Sequence, residues 1–285
     1  MKGSYRVIVQ NSSVRYDFVI RRNITIIKGD SATGKTTLIE MIREYYEEVI
    51  SSGIDLICEK TCAVLAGRDW KALLNEMNER IIFIDEGNAF IYSTEFAKAV
   101  QQSDNYYVIA TREGLPNLPY SIEEIYGIRE SGKYASIKQT YNEFYHIYGD
   151  NVLSKKVVPE TVENIKSEKI LVIADGAAFG PEMDRMMKLL HTNKNVFLYL
   201  PESFEWLILK SEILSDREVR EILEDPQDYI ESERYFSWER FFAAVLIEKT
   251  KDSYLKYSKS RLNPIYLQKN IQDMICEQMK GIEFE

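Results

Sequence analysis

Between a β-branched run at residues 24–28 and an amphipathic run at 37–44 stand Gly29, Asp30, Ser31, Ala32, Thr33, Gly34, Lys35 and Thr36, spaced G-x-x-x-x-G-K-T. Nothing else in the 285-residue chain restricts its folding so tightly. Ile24, Thr25, Ile26 and Ile27 favour a strand, whereas Leu38, Ile39 and Ile42 recur on one face of a helix. A strand that enters a glycine-bounded turn and leaves as a helix aims successive backbone N–H groups at one point. The positive end of the helix dipole reinforces them, so the turn attracts phosphate. Gly29 and Gly34 permit backbone conformations and a close approach that a Cβ would obstruct. Lys35 can reach the β- and γ-phosphates, and the Thr36 hydroxyl can ligate Mg2+. With Thr37, these eight residues form the expected binding set for a nucleoside triphosphate. A chance glycine-rich turn would not have a strand and a helix agreeing on its two flanks.

A second feature matches the first. The apolar run at 81–84 ends in Asp85 and Glu86. Asp85 is placed to hold Mg2+ opposite Thr36, and Glu86 to polarise an attacking water as general base. Taken alone, the two acids read equally well as the start of a solvated loop; the glycine-bounded loop decides between the readings. Further segments read as a strand at 53–58, a helix at 70–77, a helix at 94–101 and a strand at 105–112. Alternation of this kind predicts a parallel sheet with right-handed crossovers and ligands at the carboxyl ends of its strands. Thr111 ends the last of those strands, followed by Arg112.

The loop and the acid pair resemble the Walker A and Walker B motifs of the P-loop NTPase superfamily. Glu86 beside Asp85 is similar to the arrangement in the additional-strand, catalytic-glutamate (ASCE) division, which includes RecA-like, AAA and ABC ATPases. The resemblance implies ATP and Mg2+ as cofactors, with Lys35, Glu86 and Thr111 as the catalytic set. Thr111 would be a polar sensor, and Arg112 a phosphate-responsive group acting in cis or in trans. No L-S-G-G-Q-like signature precedes Asp85 and no G-N-K-D-like motif is present, which argues against an ordinary ABC ATPase and against a GTPase. Hairpins are expected from 4–10 with 14–20, and from 126–129 with 134–141.

The polar stretch at 149–169 reads as a boundary, giving an ATPase domain over 1–155 and an accessory domain over 165–285. The second half starts with a strand at 169–175, a turn at 176–180, a helix from Pro181 and a strand at 195–200. This order resembles a Toprim domain, the metal-dependent module of topoisomerases and OLD-family nucleases. The first strand ends in Asp175 rather than Glu, and the second in Pro201, Glu202 and Ser203 rather than an Asp-x-Asp pair. Asp175, Glu182, Asp184, Glu202 and Glu205 could supply metal ligands, although Glu182 and Asp184 do not share a helix face. Beyond Ser203 the chain reads as helical, with Ser203, Ser215 and Ser237 as N-caps, a long helix over 238–256 and a last helix from Asn263 to Met279. The expected fold is α/β: a P-loop-type parallel core with flanking antiparallel hairpins, then a smaller α/β domain ending in helices.

Composition narrows the remaining classes. A net charge of −9 gives no general support for nucleic-acid binding. One basic cluster, Lys249, Lys251, Lys256, Lys259 and Arg261 with Tyr254 and Tyr257, fits either a strand-tracking surface or a solvated helix face, the commoner case. Cys58, Cys62 and Cys276 are too few for a disulfide framework, and a shared zinc site is less expected than buried thiols. No signal pattern starts the chain and no apolar run approaches the about 18 residues of a membrane helix, so a cytoplasmic location is expected. The primary expectation is a Mg2+-dependent ATPase that uses hydrolysis to gate or drive a conformational change. Two alternatives are an ATP-dependent nuclease or other nucleic-acid-processing enzyme with a divergent Toprim-like domain, and a non-hydrolysing ATP-gated binding module. Beyond the nucleotide, expected partners are a second copy or another protein, with nucleic acid a more weakly supported alternative and no membrane.

Overall fold

The computed structural model describes residues 1–30, 33–47, 52–131, 134–140, 145–146, 162–166 and 168–279. The chain divides into two compact units: residues 1–142 with 227–236, and residues 143–226 with 237–285. The short return of 227–236 is not visible as a composition change, because main-chain bonds hold it. The Gly3 N–H donates to the Gln227 carbonyl at 2.7 Å, and the Ser232 N–H to the Met1 carbonyl at 2.9 Å.

The first unit is built on a nine-stranded sheet in the order β4-β1-β2-β9-β8-β3-β7-β6-β5. Its parallel part comprises β3 (Ile24–Lys28), β5 (Cys62–Val64), β6 (Ile81–Ile84), β7 (Tyr106–Thr111) and β8 (Ile125–Ser131). Every residue of β6 and β7 is buried. Their unbroken apolar runs are what a strand covered on both faces requires. The helices of this unit are α1 (Lys35–Glu47), α2 (Trp70–Asn75) and α3 (Thr94–Gln101). Leu38, Ile39, Met41 and Ile42 of α1 join Val7, Ile27, Ile81, Phe83 and Val108 in one core cluster. Ser93 caps α3 by accepting the Phe96 N–H at 3.1 Å.

The antiparallel part follows from two hairpins. Strands β1 (Tyr5–Gln10) and β2 (Arg15–Ile20) pair with Tyr5 opposite Ile20, and β8 pairs with β9 (Tyr134–Gln139). The segment expected as the second core strand instead becomes β4 (Asp55–Ile57), antiparallel to β1 at the far edge of the sheet. The parallel edge next to β6 is taken by β5, whose three residues are too short to carry a periodic signal.

The second unit holds a three-stranded sheet in the order β10-β12-β11, with β11 (Ile170–Ile173) parallel to β12 (Val196–Tyr199) and β10 (Tyr145–His146) antiparallel to β12. Its helices are α4 (Met183–Thr192), α5 (Phe204–Lys210), α6 (Arg217–Glu224), α7 (Trp238–Thr250) and α8 (Lys269–Cys276). Ser203 caps α5 as expected, by accepting the Trp206 N–H at 3.1 Å. At α6 the cap is Asp216 rather than Ser215, because its carboxylate accepts both the Glu218 and the Val219 N–H. Helix α7 stops at Thr250, not at 256: the Thr250 hydroxyl bonds back to the Leu246 carbonyl and accepts the Tyr257 N–H. The last helix is likewise split into a 3-10 turn at Pro264–Leu267 and α8. Among the described residues no helix is long and apolar enough to cross a membrane.

One buried charge cluster makes the first unit sensitive to pH. Glu124 is 2 % exposed, accepts the Thr25 hydroxyl at 3.1 Å and lies 3.6 Å from Arg22. Burial raises its pKa from 4.5 to about 7, against the opposing pull of Arg22. A raised folded-state value means that this contribution to stability is full below pH 4.5 and is lost as pH rises through about 7. Thermal unfolding of Glu124→Gln across that interval should therefore show a shallower loss of stability than wild type; an unchanged slope would contradict the assignment.

Candidate functional site

The parallel register decides what meets at the carboxyl edge of the first unit. Lys28 pairs with Thr111 across β3 and β7, and Ile84 pairs with Ile109 across β6 and β7. β3 and β7 end level and β6 ends two residues earlier, so the chain leaving Lys28, the 111–113 turn and the Asp85–Glu86 turn lie at the same edge. A small pocket of about 150 Å³ lies there, lined by Thr33, Gly34, Lys35, Thr36, Thr37, Glu86 and Arg112.

Helix α1 opens at Lys35, so its first amides face this pocket without intrahelical partners. The Lys35 side chain is buried, 5 % exposed, and folds back over the loop. Its ammonium donates to the Gly29 carbonyl at 2.5 Å, the Asp30 carbonyl at 2.8 Å and the Thr33 hydroxyl at 3.3 Å. Gly34 has φ +84°, and a Cβ there would lie 2.9 Å from the Tyr16 hydroxyl. That hydroxyl donates to the Gly34 carbonyl at 3.0 Å and so locks the turn from the β1–β2 hairpin. Ser31 and Ala32, named with this binding set, lie outside the described residues.

The acids occupy distinct positions. Glu86 lines the pocket, and its carboxylate pairs with Arg112 at 2.7 Å. Asp85 directly follows β6 and is not in the pocket lining; one of its carboxylate oxygens accepts the Glu86 N–H at 2.9 Å. Asn88 fixes this turn by donating to the Asp85 carbonyl at 3.0 Å and accepting the Gly67 N–H at 3.0 Å. Behind it, Trp70 stacks on Phe90 with ring centroids 5.0 Å apart.

Thr111 is fully buried. Its hydroxyl donates to the Glu113 carbonyl at 3.0 Å, accepts the Glu113 N–H at 3.2 Å and lies 3.3 Å from the Tyr92 hydroxyl. Thr111 thus shapes the turn that presents Arg112, and Arg112 rather than Thr111 lines the pocket. Tyr16 and Asn88 support the site without belonging to any of its sequence motifs. Tyr16 occupies an inward position of the hairpin alternation, but its contact with Gly34 depends on sheet order, which no local pattern records.

Elsewhere the candidates disperse. Among the described residues no group of three or more His, Cys, Asp or Glu side chains is arranged to hold a metal ion. The cluster Asp175, Glu182, Asp184, Glu202 and Glu205 therefore gains no geometric support as a metal centre. Cys58, Cys62 and Cys276 are free thiols. Much of the basic cluster is neutralised internally: Lys249 pairs with Asp216 and Glu218, Lys251 with Glu248 and Lys259 with Glu239. Tyr257 is buried and donates to Glu205 at 2.8 Å, which removes it from a stacking surface.

Comparisons of the chain with models of known families, with curated proteins and with solved structures returned no match.

The Gly34–Tyr16 contact provides a structural test. Gly34→Ala should cost about 1–2 kcal/mol for the left-handed backbone, with a further cost from the Tyr16 hydroxyl. Tyr16→Phe removes the group that the new methyl meets, so chemical denaturation of the double variant should show less than the sum of the two losses. Strict additivity would mean that the two residues do not meet.

Proposed function

We propose that the first unit binds ATP with Mg2+ and hydrolyses it, using the cycle to gate or drive a conformational change. One observation carries the reading: β7 is inserted between the strand that precedes the glycine-bounded loop and the strand that ends in Asp85 and Glu86. An inserted strand at this position is in keeping with the ASCE resemblance, and Arg112 and Glu86 line the same pocket as Lys35 and Thr36.

The residues suit the ligand. Three loop oxygens now satisfy the Lys35 ammonium, and phosphate oxygens of the same hydrogen-bonding character can replace them. The first amides of α1 supply further donors. Thr36 and Asp85 offer the hard oxygen ligands that Mg2+ prefers, and the ion would neutralise charge on the β- and γ-phosphates. Glu86 orients and deprotonates water, and Arg112 balances negative charge beside it.

The Arg112–Glu86 ion pair favours one second reading. A carboxylate held by a guanidinium at 2.7 Å is engaged elsewhere, as suits an ATP-gated binding module with negligible turnover. The nuclease alternative has no comparable support.

Mg2+-ATP binding and steady-state phosphate release separate these readings. Lys35→Ala should weaken ATP by at least about 30-fold, the scale of losing one partner of a buried charge contact. Glu86→Gln should retain ATP binding and lower turnover by about 100-fold or more. Wild-type turnover no faster than that of Glu86→Gln would leave only the binding module; absence of ATP binding to wild type would overturn both.

A further inference from the structure

The second unit has a much larger cleft, of about 1250 Å³, at the carboxyl ends of the parallel strands β11 and β12. Ile173 to Asp175 leave β11 on one side of it and Pro201 follows β12 on the other. Gly176 joins the two strand ends: its N–H donates to the Pro201 carbonyl at 2.7 Å, and the Ala177 N–H to the Glu202 carbonyl at 3.1 Å. A Cβ at Gly176 would sit 2.9 Å from both the Leu200 and the Pro201 carbonyl oxygens, so this stitching requires glycine. Asp175 is thereby fixed beside the cleft, where its carboxylate also accepts the Phe204 N–H at 3.3 Å.

Two properties of the walls point to one kind of ligand. Ile173, Phe204, Leu262 and Leu267 line the cleft while remaining 37 % to 61 % exposed. Large apolar side chains gathered in one concavity mark a binding surface, whereas scattered ones do not. The polar groups are predominantly carboxylates. Asp175 and Glu239 line the cleft, and buried Glu205 stands behind them with the Tyr257 hydroxyl. Lys259 is their nearby cation, paired with Glu239 and lying 3.7 Å from Glu205. Three acids thus share one ammonium. Glu182, also in the lining, is paired with Arg185, and Lys269 with Asp273. The imbalance registers at Asp175, whose pKa is raised to about 6 by burial first, then by Glu239 and Glu205.

We propose that this cleft binds an apolar monocation, a small molecule with one protonated nitrogen on an aromatic or aliphatic body. The nitrogen meets Asp175 and Glu239, supplying the positive charge that Lys259 alone does not. The body covers Ile173, Phe204, Leu262 and Leu267. An anion would face the carboxylates, and a fully hydrated ion would leave the apolar walls exposed. The site lies within the second unit and is independent of the ATP reading.

The test uses the full chain and three probes of one shape: 4-phenylbutylamine, 4-phenylbutan-1-ol and 4-phenylbutanoate, measured by calorimetry and by NMR line shape. The amine should bind at least about tenfold more tightly than the carboxylate. Asp175→Asn should erase most of that preference and should change the alcohol's affinity far less than the amine's. Exposed Leu267→Ser should weaken all three probes, and it keeps the test decisive if Asp175→Asn fails to fold. Wild-type affinity for the amine should fall between about pH 8 and about pH 5 as Asp175 protonates, and stay level in Asp175→Asn. Equal affinity for amine and carboxylate, an amine preference surviving Asp175→Asn, or no amine binding up to about 10 mM would overturn the proposal. So would sedimentation showing a dimer that Leu267→Ser splits and the amine does not perturb, because a second copy would then cover the cleft.

Discussion

The hydrogen-bonded register of β3, β7 and β6 is the constraint on which the first unit depends. All but the last residue of β3 and every residue of β6 and β7 are buried, so their amides and carbonyls have no alternative to one another inside the core. A slip of one residue would turn every side chain to the opposite face and would separate the strand ends. With Lys28 beside Thr111 and Ile84 beside Ile109, the loop after β3 and the turns after β7 and β6 emerge together. The pocket shared by Lys35, Glu86 and Arg112 is a consequence of that ladder. Local bonds then refine it, with Tyr16 holding Gly34, Asn88 holding the Asp85 turn and Thr111 holding the turn that carries Arg112.

The second unit applies the same geometric rule to a smaller sheet. Two parallel strands end side by side, and Gly176 allows their following turns to approach closely enough to share main-chain bonds. The two edges differ in chemistry. The first has a free helix start and a buried lysine, a combination suited to negative charge. The second has excess carboxylate and exposed hydrocarbon, a combination suited to an apolar cation. Position at the strand ends is common to both, and side-chain identity makes them different sites.

Segments with a clear alternation, a helical spacing or an unbroken apolar run were legible in the sequence. The β1–β2 hairpin, α3 over Thr94–Gln101 and the buried run of β6 all follow from spacing and composition. Short or interrupted segments were not. β5 has three residues and no room for a pattern, and β4 found its partner in β1 rather than in the parallel core. The extra length expected of α7 was lost because Thr250 bonds both back to Leu246 and forward to Tyr257, an outcome of side-chain geometry that periodicity does not encode. The basic cluster at 249–261 reads as available charge until the acids that neutralise Lys249 and Lys259 are brought to it from distant positions.

By itself, the sequence determined a strand, a glycine-bounded loop and a helix at 24–47, because those properties rest on backbone conformational preference and local spacing. It also marked Asp85 and Glu86 as acids at the end of a buried strand. Only the tertiary structure decided that Arg112 pairs with Glu86, that Thr111 turns into a hydrogen-bonded bend, and that Tyr16 closes on Gly34. It alone revealed the cleft beside Asp175. These outcomes depend on strand order and on which loops share an edge. Both are set by nonlocal hydrogen bonding and core packing, over separations at which the chain's local preferences carry no information.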